Sequence, residues 1–124
     1  MLWMIMLWSY LLNISLQQDY THMQTTLHYF LHFGFPLVIA LVFFKTDWKR
    51  VYLLLLATML VDLDHLLATP VFDPNRCSIG FHPLHSYYAM VCYVVLLFLK
   101  KPFNILGLGL LFHMLTDYID CLLM

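Results

Sequence analysis

The sequence contains no glutamate: all seven acidic residues are aspartates, set against only six lysines and arginines. Charged side chains make up 10% of the 124 residues, too few to clothe a soluble domain of this size. No lysine or arginine precedes Lys45, so the basic n-region of a cleaved signal peptide is missing. No basic stretch exceeds the pairs Lys49-Arg50 and Lys100-Lys101, and nothing points to nucleic acid as a partner. The three cysteines, Cys77, Cys92 and Cys121, form no CxxC pair and no zinc-finger spacing. Each is expected to be a small buried hydrophobe, and a Cys77–Cys121 disulfide is not expected.

Hydrophobic residues, at 63%, fall in continuous rather than alternating runs. In lipid the backbone must satisfy its own hydrogen bonds, and continuous runs do so as helices. The expected fold is all-α: a polytopic membrane helix bundle with four core transmembrane helices plus a short N-terminal hydrophobic segment. The core helices are expected over Leu27–Phe44, Val51 to about Thr69, Pro83–Leu99 and Asn104 to the C-terminus. A polar loop spans residues 71–82. Residues 1–22 are an extension read as a fifth, shorter helix or interfacial segment, or as a stretch before a functional start near Met23. Residues 23–124 form the single domain. Lys45, Lys49, Arg50, Lys100 and Lys101 lie on one side of the core and Arg76 on the other. Basic loops stay in the cytoplasm, so the 71–82 loop is expected to face outward.

Seven histidines in a lipid-soluble chain call for an explanation, because ionisable groups at membrane depth are costly. Counted from the inner helix ends, His32 and His28 lie roughly 18 and 24 Å up, and Asp62 and His65 roughly 16 and 21 Å. His85 lies roughly 21 Å up with His82 at the rim, and His113, Asp117 and Asp120 lie roughly 13, 20 and 24 Å up. Four antiparallel helices thus carry their ligand-type residues in one half of the membrane. Helical phase agrees. His28 and His32 share a face, as do His113, Asp117 and Asp120, and as do Asp62 and His65. Asp64 is out of phase with Asp62 and points away unless the helix loosens before Pro70; the other reading is that it orients a ligand or holds the neighbouring loop.

Imidazoles mixed with carboxylates suit a divalent transition metal, zinc first, with manganese or iron as alternatives. His28, His32, Asp62, His65, His82, His85, His113 and Asp117 are the candidate ligands. They exceed the needs of one zinc, so one or two ions are expected. Taken singly the signals are weak. His28 and His32 alone read more often as interfacial, solvated groups, the Asp62–His65 run reads also as a helix end meeting water, and His82 equally as a rim residue. Arg76 reads equally as a headgroup-level arginine or as a group binding phosphate or carboxylate. His113 and Asp117 are harder to dismiss, since a group near mid-membrane needs a partner there.

The runs Leu27-His-Tyr-Phe-Leu-His32, Val61-Asp-Leu-Asp-His65-Leu-Leu-Ala-Thr-Pro70, Phe72 to Ser86 and Gly109 to Cys121 resemble small bacterial inner-membrane proteins grouped as domain-of-unknown-function family 6122. More distantly, Asp-x-Asp-His, His-Ser and His-x-x-x-Asp are similar to elements of the LexA-regulated membrane-bound metal-dependent hydrolases. That resemblance implies metal ligation by Asp62, Asp64 or His65, by His85, and by His113 and Asp117.

The leading expectation is a metal-dependent hydrolase acting on a membrane lipid or lipid-linked ester or phosphoester at the outer leaflet. Asp64 or Asp120 accepts a proton from water and Arg76 steadies an anionic headgroup. The alternatives are a di-iron membrane oxidoreductase, to which His-x-x-x-His also belongs, and a non-catalytic metal transporter or metal-stabilised scaffold. A bis-His haem protein is a further alternative, and association into a homo-oligomer is left open.

Overall fold

The computed structural model describes residues 2–73 and 75–124, leaving Met1 and the loop residue Pro74 outside the described residues. Every regular element among the described residues is helical. The chain begins with α1, Leu2–Tyr29, which passes through a π turn at Phe30–Gly34 directly into α2, Phe35–Phe43. The separate N-terminal helix expected over the first 22 residues is therefore replaced by one long rod. Gln17-Gln18-Asp19 is polar, but those side chains are compatible with a helix, and no glycine or proline interrupts the chain before Gly34. The π turn has a local cause. Pro36 has no N–H to give to the carbonyl four residues back, and the ladder widens so that the Phe35 N–H bonds the Phe30 carbonyl.

The second expected helix divides into α3, Trp48–Ala57, and a 3-10 helix over Thr58–Leu67. The switch falls at Thr58, whose hydroxyl donates to the Leu55 carbonyl at 2.6 Å and so competes with the α-helical ladder. The third helix starts later than Pro83. Pro83–His85 forms one 3-10 turn, after which Ser86 caps α4, Tyr87–Leu97, by accepting from the Ala89 N–H at 3.3 Å. The last helix, α5, runs from Phe103 to Leu123, within a residue of its expected start.

Helix α5 is the central post, packed on α4, α3 and the first rod. Two glycines allow this. A Cβ at Gly107 would come within 2.8 Å of the Leu96 Cβ and 2.9 Å of the Tyr93 carbonyl, and one at Gly109 within 2.7 Å of the Thr58 side chain. Ala40, Val51, Leu55 and Ile105 form a dry cluster near the two basic turns, while Val61, Tyr93 and Met114 form a second, further along. Among the described residues, two helices are long and apolar enough to cross a membrane, the Trp3–Phe43 rod and Phe103–Leu123, and α4 is a shorter apolar helix. Large apolar side chains such as Trp8, Phe43, Tyr88 and Phe98 lie exposed on the outside.

The cysteines depart from expectation. Cys77 and Cys121 are joined in a disulfide with their Cα atoms 5.0 Å apart, tying the 71–82 loop to the last turn of α5. Cys92 is exposed rather than buried. The hairpins bring Cys77 and Cys121 together across 44 residues, and a long-range pairing of this kind leaves no mark in local spacing.

Candidate metal centre

Beyond the dry clusters, the bundle turns polar at its other end. The π turn presents His32, the 3-10 helix presents Asp62, Asp64 and His65, the Pro83–His85 turn presents His85, and α5 presents His113 and Asp117. With three residues per turn, Asp62 and His65 eclipse each other on one side of the 3-10 helix, while Asp64 shares the buried side with Val61. Of the two readings open for Asp64, the second holds: in the 3-10 helix its carboxylate points inward, toward His85.

Asp62, His85, His113 and Asp117 each offer one ligand atom, and these four atoms all lie within 4.8 Å of one another. His113 Nε2 is 3.0 Å from Asp62 Oδ1 and 3.3 Å from Asp117 Oδ2. His85 Nε2 is 3.4 Å from Asp62 Oδ1 and 2.9 Å from Asp117 Oδ2. The latter two atoms are close, yet neither is aligned with any hydrogen-bond partner. Side chains aimed at a common third atom have this geometry, and ligand atoms around one zinc sit about 3.0–3.5 Å apart. A divalent ion fits the donor set. His85 and His113 are fully buried, whereas the Asp62 side chain is 43% exposed and opens the cluster to a cavity.

Around this core stands a supporting layer. Asp64 Oδ2 accepts from the Leu84 N–H at 2.8 Å and faces His85 Nδ1 at 3.1 Å, so one carboxylate fixes both the turn and the ring. Tyr93 donates to the Leu84 carbonyl at 2.9 Å and holds the same turn from α4. His65 Nδ1 lies 3.2 Å from Asp64, and its Nε2 bonds Ser78 Oγ at 3.0 Å. His82 is buried and stacks on His65 with ring centres 3.9 Å apart, but it joins none of the groups that close on a common point. Burial first, and the neighbouring His65 second, lower the His82 pKa.

On the opposite side, His32 Nε2 lies 3.4 Å from Asp117 Oδ1 and His28 Nδ1 lies 3.1 Å from Asp120 Oδ2. The two rings sit 4.4 Å apart. Gln24 donates to Asp120 Oδ1 at 3.5 Å. Arg76 turns one amine of its guanidinium onto the Pro70 and Val71 carbonyls, at 2.6 and 3.1 Å, and packs on the Phe81 ring. The cavity is about 510 Å³, with Asp62, His28, Asp120, Arg76, Phe72 and Tyr29 in its wall.

Of the expected ligands, the structure gathers Asp62, His85, His113 and Asp117 into one cluster. It sets His28 and His32 beside Asp117, and His65 beside Asp64 and His85. Ser78, Gln24 and Tyr93 were not expected to take part. Gln24 had a signal, since Gln24, His28 and His32 recur every four residues on one helix face. Ser78 sits in a loop and had none.

Residues 22–124 match a family of unknown function, DUF6122. The chain belongs to that family. The DUF6122 match contains every residue of the polar cluster and begins inside α1, so most of the N-terminal turns precede it. No curated protein and no solved structure matches the chain.

Proposed function

We propose that this DUF6122 protein is a multi-pass membrane hydrolase that depends on a divalent transition metal, most simply zinc, held by Asp62, His85, His113 and Asp117. It acts on a lipid or lipid-linked ester or phosphoester at the outer face of the inner membrane. The observation that carries the reading is the convergence of those four side chains, buried ring nitrogens included, on one point beside an open cavity.

Three of the four crossings match the hydrocarbon core in length, and the Pro83–Leu97 stretch falls short of it. The α3 and 3-10 segments together rise about 35 Å, comparable with the ~30 Å hydrocarbon core. The stretch from Pro83 to Leu97 rises about 23 Å and is the shortest of the four. Lys45, Lys49, Arg50, Lys100 and Lys101 flank the turns at the dry end, and Arg76 stands at the cavity. That asymmetry supports a cytoplasmic dry end and an outward cavity. A disulfide in the cavity loop supports the same orientation, because disulfides persist on the oxidising side.

An ion at this centre supplies Lewis acidity, acidifying water and polarising a phosphoryl or carbonyl oxygen. The protein's own groups do the rest. Asp64 locks the His85 ring through Nδ1 and is a positioning residue. Asp120 faces the cavity and is placed to accept a proton from water. Arg76 offers a cation to an anionic headgroup, and Phe72 and Tyr29 offer apolar wall to an acyl or isoprenoid chain. A metal conduit is disfavoured by the packed apolar cluster of Ala40, Val51, Leu55 and Ile105 at the dry end.

The test is an assay of purified protein loaded with zinc or manganese against a phospholipid, an isoprenoid phosphate and an acyl ester. Turnover of one of them, abolished by Asp120→Asn with metal retained, is the expected result. A fully loaded protein inert on all three counts against hydrolysis.

A further inference from the structure

Asp117 uses its two oxygens on two different sides. Oδ2 belongs to the cluster with Asp62, His85 and His113, whereas Oδ1 faces His32 at 3.4 Å. His28, His32 and Asp117 each offer a ligand atom, and these three atoms also lie within 4.8 Å of one another. The second observation is His32 itself. It is only 3% exposed, and neither of its ring nitrogens has an aligned hydrogen-bond partner. A buried imidazole with both nitrogens unpaired is costly, and a structural role would have supplied at least one carbonyl or hydroxyl.

We propose that His28, His32 and Asp117 hold a second divalent transition metal, and that the Asp117 carboxylate bridges it to the central ion. This rests on the central metal reading. The two half-sites adjoin directly, with the His32 and His113 rings 4.5 Å apart. A set of two imidazoles and one carboxylate takes zinc, manganese or iron in preference to calcium or magnesium. Asp120, 3.1 Å from His28 Nδ1, stands beside this set rather than in it.

The alternative pairing, Asp64 with His65 and His85, is less suited to an ion. His85 turns Nε2 into the central cluster and its Nδ1 is held by Asp64 Oδ2, which leaves that grouping two unpartnered atoms, Asp64 Oδ1 and His65 Nδ1. The π turn has a consequence here too. It sets His32 at the widened point of the rod while α1 still carries His28 one turn away, and such turns recur where a helix must re-aim a functional side chain.

Elemental analysis of the purified full chain, stripped and reloaded with zinc, reads the difference. Two equivalents per chain, falling to one in His32→Ala, is the expected result. One equivalent in the unaltered chain overturns the second site and leaves the central one standing; an empty chain overturns both. Two equivalents that persist in His32→Ala also overturn the assignment. Manganese electron paramagnetic resonance needs no variant and decides if His32→Ala does not fold. A spin-coupled signal at full loading is expected, and a signal of isolated ions at full loading overturns the bridge.

Discussion

His85 shows how the site is built one residue at a time: Nε2 looks into the cluster and Nδ1 is held by Asp64 at 3.1 Å. Removing that support loosens the ligand without removing it. Asp64→Asn is therefore expected to weaken zinc binding by about 10–100-fold, measured by competition with a chromophoric chelator, while the fold survives. Acidification acts in the same direction at every ligand. A metal-bound imidazole must be neutral, so occupancy falls as pH drops and returns when pH is restored, which equilibrium dialysis across a pH series would show. Much of this was legible in the residue types. Histidine and aspartate at one expected depth on four apolar segments pointed to eight candidate ligands, of which Asp62, His85, His113 and Asp117 gather in one cluster. The individual roles were not legible, because they depend on which nitrogen or oxygen faces which neighbour. Asp64 is the clearest case: its phase left pointing away and orienting a ligand both open, and it is found inside, against His85.

The reason lies at the scale of the element. A change from 3.6 to three residues per turn moves each successive side chain by a further ~20°, enough across Thr58–Leu67 to carry Asp64 from the outside to the interior. Neither that 3-10 helix nor the π turn at Phe30–Gly34 is written in hydrophobic periodicity, which stays apolar through both. Helix α5 was readable, since nothing interrupts it. Its close approach to α4 depends on Gly107, where a Cβ would meet the Tyr93 carbonyl, part of a backbone that cannot step aside. Gly107→Ala is expected to destabilise the protein by about 1–3 kcal/mol, read as a lower unfolding temperature in detergent. Leu108→Ala, on the exposed side of the same helix, is expected to cost less.

Across the whole molecule, the site occupies one end and the dry packing the other, and the N-terminal turns belong to neither. Tyr20 donates to the Leu123 carbonyl at 3.1 Å, so the turns before it run past the end of α5. Deleting residues 2–16 is expected to leave zinc stoichiometry unchanged, by the same elemental analysis, because the cavity wall begins at Thr21. The Cys77–Cys121 link fastens the cavity loop to α5, and Cys77→Ser with Cys121→Ser is expected to lower stability by ~2–4 kcal/mol, read in the same unfolding assay. The most direct measurement of all is an anomalous difference map at the zinc edge from crystals of the purified protein. A peak within bonding distance of Asp62, His85, His113 and Asp117 is the result expected. A map without that peak from zinc-loaded crystals, or those four side chains turned outward to lipid, would contradict the metal centre at its root.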